Sequence, residues 1–224
     1  MRLLGRAASA LATVLAVLAV ALSLQLATAG AARADSQWSG TLTQAIDHIP
    51  VAGEGRTGYS RDAFRLWVDA DGDGCDTRAE VLLAEAEDAP SVGSGCSLSG
   101  GRWYSYYDGV SATAAGDLDI DHVVPLAEAW DSGASAWSAS RREAYANDLG
   151  DSHTLVGVTA SLNRSKRDQD VAEWLPPIND CRYVKDWVVA KIRWGLEQDA
   201  AEKAALEDVA AGCADSSLSV SVVG

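Results

Sequence analysis

The chain has 224 residues, and its 32 acidic residues outnumber its 18 lysines and arginines, so the formal net charge is −14 at pH 7. Such an acidic protein is not expected to bind nucleic acid along an extended basic surface. Hydrophobic residues make up 48% of the chain, which is enough for a folded domain with a core.

The N-terminus has the pattern of a secretory signal peptide, predicted over residues 1–34. Arg2 and Arg6 form a short positive region, residues 10–26 are an apolar run, and Ala32-Arg33-Ala34 is a small-x-small cleavage site. A membrane anchor is the alternative, because the apolar run is nearly long enough to span a bilayer. We favour the signal peptide and therefore expect a secreted, extracellular protein that makes no membrane contact after cleavage.

The chain contains four cysteines: Cys75, Cys96, Cys181 and Cys213. Export permits disulfides, and four cysteines allow three connectivities. We favour Cys75–Cys96 with Cys181–Cys213, because each pair brackets one segment. A zinc site is not expected, since no two cysteines have the close spacing of zinc ligands.

The chain after the leader predicts a mixture of helices and strands. Apolar spacing and flanking turn residues predict helices at 42–49, 59–68, 78–87, 126–130, 141–149, 161–167, 184–196 and 200–211. Aromatic and β-branched runs predict strands at 103–110, 118–124 and 155–158. Residues 35–60 form a polar lead-in, and the tail at 216–224 is expected to be disordered.

A loop after residue 68 is rich in aspartate and fits the calcium loop of an EF-hand. The matching residues are Asp69, Asp71, Asp73, Gly74 and Glu80. Two positions do not fit, because Asp76 stands where an apolar residue is usual and Cys75 is expected to be in a disulfide. Two interpretations therefore stay open: a structural Ca²⁺ site, and an Asp/Gly-rich turn without an ion.

The strongest functional signal is Asp121-His122 at the end of a predicted strand that Pro125 stops. Asn163-Arg164-Ser165-Lys166 then places an amide and cations on a short predicted helix. A single-metal phosphodiesterase uses these groups, because oxygen ligands take Mg²⁺ or a similar hard ion and a free imidazole activates water. His122 near its free pKa is the expected general base. Asp121 is the expected first metal ligand, with Asp119 as a candidate supporting partner on the same face.

This ordered set resembles the HNH nucleases, the ββα-metal or His-Me finger superfamily. It is more similar to secreted actinobacterial HNH-family proteins related to the C-terminal nuclease domain of GmrSD-type restriction enzymes. The residues that carry the resemblance lie at 121–126, 128–133, 145–149, 163–166, 168–170 and 172–177, with a weaker likeness at 71–78. Together they cover most of the chain after residue 55.

The resemblance implies an α+β fold, with a ββα-metal core decorated with helices and two disulfides. The nuclease domain would span 35–215, with an N-terminal part containing the Asp-rich loop at 61–115, the core at 116–180 and C-terminal helices at 181–215. Asn163 would be the second ligand of one divalent ion, Mg²⁺ or Mn²⁺. Lys166 would contact the phosphate beside the scissile bond, and Arg78, Arg164 and Arg167 would bind substrate.

The middle position of the HNH motif departs from the family pattern. Many members place an asparagine directly before the second strand, where this chain has His153-Thr154. Either Asn147 or His153 orients the base, and we favour Asn147 because the resemblance runs through it.

The resulting prediction is a monomeric endonuclease that hydrolyses DNA, with RNA as a second substrate class. The alternative from another class is a catalytically inactive calcium-binding module of the cell envelope, favoured by the Asp-rich loop and the acidic charge. A third interpretation is an exported toxin, but the sequence shows no immunity partner or translocation domain that would support it. The sequence does not distinguish the preferred metal or strand.

Overall fold

The computed structural model describes residues 36–224, and the predicted signal peptide lies outside them. Helices α1 to α7 span Leu42–His48, Thr77–Glu85, Leu126–Asp131, Ala139–Ala146, Ala160–Lys166, Asp180–Trp194 and Ala200–Ala210. Strands β1 to β8 span Ser36–Thr41, Ser91–Val92, Leu98–Ser99, Trp103–Ser105, Val110–Ala112, Leu118–His122, Leu155–Thr159 and Ser217–Val222. Within this part of the chain, no helix is long and apolar enough to cross a membrane.

The strands pair as small two-stranded antiparallel sheets, and the pair β6–β7 is central to the site described below. Leu118 lies opposite Thr159, and His122 lies opposite Leu155. Helix α5 begins at Ala160, directly after β7 ends. The predicted strands at 118–124 and 155–158 and the predicted helix at 161–167 are thus present within about two residues. The predicted α+β class is confirmed.

The main hydrophobic core surrounds α6. Its residues Tyr183, Val184, Trp187 and Val188 are fully buried, because they form the apolar face that an amphipathic helix turns inward. Helices α1 and α7 and strand β8 pack against this helix. A second, smaller core lies between α2, β4 and the β6–β7 pair, and it includes Trp103.

A buried lysine joins α6 to two other helices. Lys191 donates to Glu128 Oε1 at 2.8 Å and to Glu202 Oε2 at 2.7 Å, and all three side chains are almost completely buried. Buried charges require partners, and here each carboxylate supplies one. Glu128 therefore has a structural role, since it holds Lys191 in the core.

Both disulfides have the predicted pairing. Cys75–Cys96 joins the Asp-rich loop to a 3₁₀ turn, and Cys181–Cys213 joins the start of α6 to the segment after α7. No free cysteine remains in the described chain.

Three sequence predictions are wrong. The tail at 216–224 is not disordered, because β8 pairs with β1 along its whole length and buries Leu218 and Val220. The predicted helix at 59–68 is only a 3₁₀ turn, Arg61–Ala63. The predicted strand at 103–110 is a hairpin, in which β4 turns back into β5. The alternation of apolar and polar residues in Ser217–Val222 is typical of a strand. The partner of this strand, β1, lies at the other end of the described chain.

The C-terminal strand should therefore contribute to stability. Val220→Ala should lower the free energy of unfolding by about 2 kcal/mol, because two methyl groups are removed from a fully buried side chain. The exposed neighbour supplies the control, and Ser221→Ala should change stability by less than about 0.5 kcal/mol. Urea unfolding followed by tryptophan fluorescence measures both. Equal stability of Val220→Ala and the parent would contradict the packed strand.

Candidate active site

The ends of β6 and α5 border a cleft of about 220 Å³. Four residues singled out from the sequence line it, namely Asp121, His122, Asn163 and Arg167. Strand β6 ends at His122, as the sharing of one site by two consecutive strand residues requires. Tyr59 and Arg61, which the sequence analysis did not select, complete one wall.

Asp121 is buried and held at one oxygen. Its Oδ2 accepts hydrogen bonds from the Tyr107 hydroxyl and from Lys166 Nζ, both at 2.6 Å. Its Oδ1 accepts no hydrogen bond from the described residues. Burial raises the pKa of Asp121, and the attraction to Lys166 opposes that shift. The carboxylate is therefore fixed on one side and free on the other.

His122 is held as a neutral ring with one nitrogen free. Its Nε2 lies 3.0 Å from the carbonyl oxygen of Ala146. Because a carbonyl can only accept, Nε2 carries the proton and Nδ1 keeps its lone pair. Burial, together with the positive charges of Arg61 and Lys166, lowers the pKa of His122 to about 4, and the hydrogen bond to the Ala146 carbonyl opposes this shift. The expectation of an ordinary imidazole pKa is therefore not met.

Lys166 does not reach the cleft surface. Its side chain is 0% exposed, and Nζ donates to Asp121 Oδ2, to the His122 carbonyl at 2.8 Å and to the Val123 carbonyl at 2.9 Å. An ammonium group has three donors, and all three are used. The expected contact of Lys166 with phosphate is therefore wrong. Helix α5 turns Lys166 inward, beneath the end of β6.

Asn163 and Arg164 both contact Asp119. Asn163 Nδ2 donates to Asp119 Oδ2 at 3.4 Å, and Arg164 Nε donates to the same oxygen at 3.3 Å. The amide oxygen of Asn163 accepts no hydrogen bond from the described residues. Asp119 thus orients the amide, in the supporting position considered from the sequence.

Neither candidate for the middle motif position touches the base through its side chain. The Asn147 amide group accepts from Val68 N and Thr77 Oγ1, and donates to the carbonyl oxygens of Arg65 and Glu143. It therefore ties the end of α4 to the segment before α2.

His153 Nδ1 contacts Asp151 Oδ1 at 2.6 Å, and its Nε2 lies 3.9 Å from Asp186 Oδ1. The group that contacts His122 is instead the backbone carbonyl of Ala146, one residue before Asn147. A backbone contact leaves no signal in residue identity.

The Arg78 side chain binds backbone carbonyls of the protein itself. Its Nη2 donates to the carbonyl oxygens of Ala115 and Leu118, at the start of β6. It does not line the cleft, so its expected binding of substrate is not supported by the geometry.

The carboxylates of the Asp-rich loop lie close together. Oxygens of Asp69, Asp71 and Asp73 lie within 4.8 Å of one another, and an oxygen of Asp73 lies within the same distance of one from Glu80. Burial raises the pKa of Glu80, and the charges of the three aspartates raise it further. The aspartates accept hydrogen bonds from backbone N–H groups of the loop itself. Asp69, for example, accepts them from Gly72 and Gly74. This cluster is separate from the cleft.

The buried pair of Lys166 and Asp121 makes a testable demand on stability. Lys166→Met should lower the free energy of unfolding by about 3–5 kcal/mol, because it leaves the buried Asp121 carboxylate without its cation. Lys166→Met combined with Asp121→Asn should recover much of this loss, since no unpaired charge remains. Lys185→Met, on an unpaired lysine outside the cleft, is the control. Urea unfolding that finds Lys166→Met as stable as the parent would refute the buried pair.

Comparisons with known proteins found a matching family and a relative of this chain. A family model described as the C-terminal domain of GmrSD restriction endonucleases matches residues 62–209. A protein of Arthroderma benhamiae (strain ATCC MYA-4681 / CBS 112371), described as an uncharacterized secreted protein, is 42% identical over 158 residues, which are 70% of this chain and 76% of that protein. No solved structure matches the chain.

These findings confirm the predictions about location and family. The secreted relative and the two disulfides confirm an extracellular location, since disulfides persist in oxidising compartments. The relative is fungal, so it does not bear on the expected similarity to actinobacterial proteins. The matched domain points to a nuclease with a nucleic-acid substrate. The chain belongs to the family of GmrSD restriction endonuclease C-terminal domains.

Proposed function

We propose that this protein is a secreted endonuclease of the HNH type, which hydrolyses phosphodiester bonds of DNA and, as a second substrate class, RNA. The observation that supports this most is the meeting of Asp121, His122 and Asn163 at one cleft. The order β6, β7, α5 supplies these residues in the order that a ββα-metal core requires.

The residues fit one divalent cation, Mg²⁺ or Mn²⁺. Asp121 Oδ1 and the amide oxygen of Asn163 accept no hydrogen bond from the described residues, and both residues line the cleft. Carboxylate and amide oxygens are hard ligands that suit these ions. The ion would act as a Lewis acid that stabilises negative charge on the phosphate and on the departing 3′ oxygen.

His122 is the proposed general base. Its Nδ1 accepts a proton from the attacking water, while the Ala146 carbonyl keeps Nε2 protonated and the ring oriented. The low pKa keeps the proton-accepting form present throughout the neutral range. A phosphate beside the ring adds a negative charge that favours imidazolium, so substrate binding raises the proton affinity of His122.

Substitution of the three cleft residues separates their roles. His122→Ala should reduce the rate of plasmid cleavage by about 10²–10⁴-fold and leave metal binding intact, because only the base is removed. Asp121→Asn should weaken metal binding, with partial rescue by excess Mn²⁺, since a neutral amide is a poorer ligand for a hard cation. Asn163→Ala should act in the same direction but more mildly. Cleavage rates against metal concentration, with calorimetric metal titration, measure these effects.

Asp117→Asn is the matched control, because Asp117 is exposed just before β6 and does not line the cleft. It should leave both cleavage and metal binding at parental values. Parental cleavage by His122→Ala would eliminate the proposed base and, with it, the HNH assignment. A folded parent that cuts no nucleic acid at any metal concentration would favour the non-catalytic alternative.

The Asp-rich loop supports a second, structural proposal. Asp69, Asp71, Asp73 and Glu80 hold one Ca²⁺ beside the Cys75–Cys96 disulfide. The convergence of their carboxylates and the raised pKa of Glu80 support this, because a bound cation would relieve their mutual repulsion. A calcium-binding module without catalysis would keep this loop and lose the cleavage.

Calcium should therefore raise the thermal unfolding temperature relative to a solution with chelator. Asp71→Asn should reduce that rise, because it removes one ligand charge from the cluster. Asp208→Asn, an exposed change on α7, should leave the calcium-induced rise unaltered. Scanning calorimetry of each protein with Ca²⁺ and with chelator tests the site. An unfolding temperature that is insensitive to Ca²⁺ in the parent would rule out the calcium loop.

A further inference from the structure

Most cationic side chains of this acidic protein form ion pairs or hydrogen bonds within the described chain. Ion pairs with carboxylates engage Arg56, Arg65, Arg102, Arg164, Lys166, Arg182, Lys191, Arg193 and Lys203. Backbone carbonyls engage Arg78, Arg141 and Arg142. Among the described residues, the side chains of Arg61, Arg167 and Lys185 alone form neither an ion pair nor a hydrogen bond.

Two of these three cations line the candidate cleft, and they belong to different elements. Arg61 comes from the 3₁₀ turn Arg61–Ala63, and Arg167 comes from the residue that ends α5. Lys185 lies on α6 and does not line the cleft. Guanidinium groups without partners are unusual in a chain of net charge −14, where carboxylates are abundant. Their charge is left for an anion that the protein does not supply.

The backbone at Arg167 supports a binding role. Its φ of +57° and ψ of −126° lie in a region that residues with a side chain rarely adopt. Such a conformation costs about 1–3 kcal/mol and persists where the surroundings impose it, frequently at ligand-binding sites. The Arg167 N–H donates to the Asn163 carbonyl at 3.1 Å, so this turn is tied to the helix that carries Asn163.

The acidic residues of the cleft have cationic partners. Lys166 pairs with Asp121, and Arg56 pairs with both Asp168 and Asp131, at 2.5 Å from each. These three carboxylates thus share two cations. Arg61 and Arg167 therefore leave the cleft with a positive charge in an otherwise negative molecule. A guanidinium group presents a planar fork of donors that matches the oxygens of a phosphodiester.

We infer that Arg61 and Arg167, which line the cleft from different elements, bind the phosphodiester backbone of a nucleic-acid strand. This inference rests on the proposed function for its substrate, and it gives these two arginines the role that buried Lys166 is unable to fill. Lys166 positions Asp121 from below, and the two arginines meet the strand from the solvent side.

Binding without turnover tests the inference. A short fluorescein-labelled single-stranded DNA is titrated with the protein in the presence of chelator, and anisotropy is followed at several salt concentrations. Arg61→Gln and Arg167→Gln should each weaken binding about tenfold, the loss expected for a charged hydrogen-bonding partner. Each change should also reduce the steepness of the log–log salt dependence by about 0.7, the value for one phosphate contact on a single strand.

Lys185→Gln is the matched control, because it removes an equally unpaired charge from outside the cleft. It should bind as the parent does. A methylphosphonate DNA of the same sequence lacks the backbone charge. Its affinity for the parent should be no higher than the affinity of a variant with both Arg61→Gln and Arg167→Gln for ordinary DNA. Circular dichroism confirms that every variant is folded.

The outcomes separate this inference from the proposed nuclease. Parental affinity in both arginine variants, equal losses in Lys185→Gln, or tight binding of methylphosphonate DNA would each overturn the arginine sites, even if His122→Ala abolishes cleavage. Undetectable binding of DNA by the parent at low salt would also overturn them. Arginine-dependent binding by a parent that never cleaves DNA would support the sites and refute the nuclease.

Discussion

The ammonium group of Lys166 is the contact on which the candidate site depends. It lies beneath the end of β6 and joins the Asp121 carboxylate to the carbonyl oxygens of His122 and Val123. Strand residues alternate between faces, so two consecutive side chains serve one cleft only where the strand ends. A buried cation that binds both the carboxylate and the free carbonyls fixes that end. The arrangement is costly to break, because either charge alone would be buried without a partner.

The same arrangement explains how an acidic protein can present a site for an anion. Lys166 pairs with Asp121, Arg56 pairs with Asp168 and with the neighbouring Asp131, and Arg61 and Arg167 add two further positive charges to the cleft. The remaining negative charge is spread over the surface, where salt screens it beyond about 10 Å. Net charge therefore describes the whole molecule and not the cleft. A site of this kind suits binding of a short stretch of backbone without an extended track.

The scaffold connects the site to both ends of the described chain. Strand β8 returns from the C-terminus to pair with β1, and both pack with α1 and α7 around α6. The Cys181–Cys213 bridge closes the segment that contains α6 and α7. A disulfide lowers the conformational entropy of the unfolded chain and so stabilises a domain of this size outside the cell. The β6–β7 pair thus lies on a core that is closed by sheet pairing and by covalent bonds.

Local patterns in the sequence predicted strands β6 and β7 and most helices, because apolar periodicity and turn residues act over short distances. The order of the cysteines favoured the observed pairing, and the family resemblance implied the clustering of Asp121, His122 and Asn163. Tertiary structure alone decided which groups face the cleft. A helix position does not show whether Lys166 points to solvent or to a buried carboxylate, and the contact between His122 and the Ala146 carbonyl involves no side chain that sequence could reveal. Pairing of β1 with β8 likewise depends on chain ends that meet only after the core has formed. These features arise from contacts between residues distant in sequence, whose burial and charge balance exist only in the folded chain.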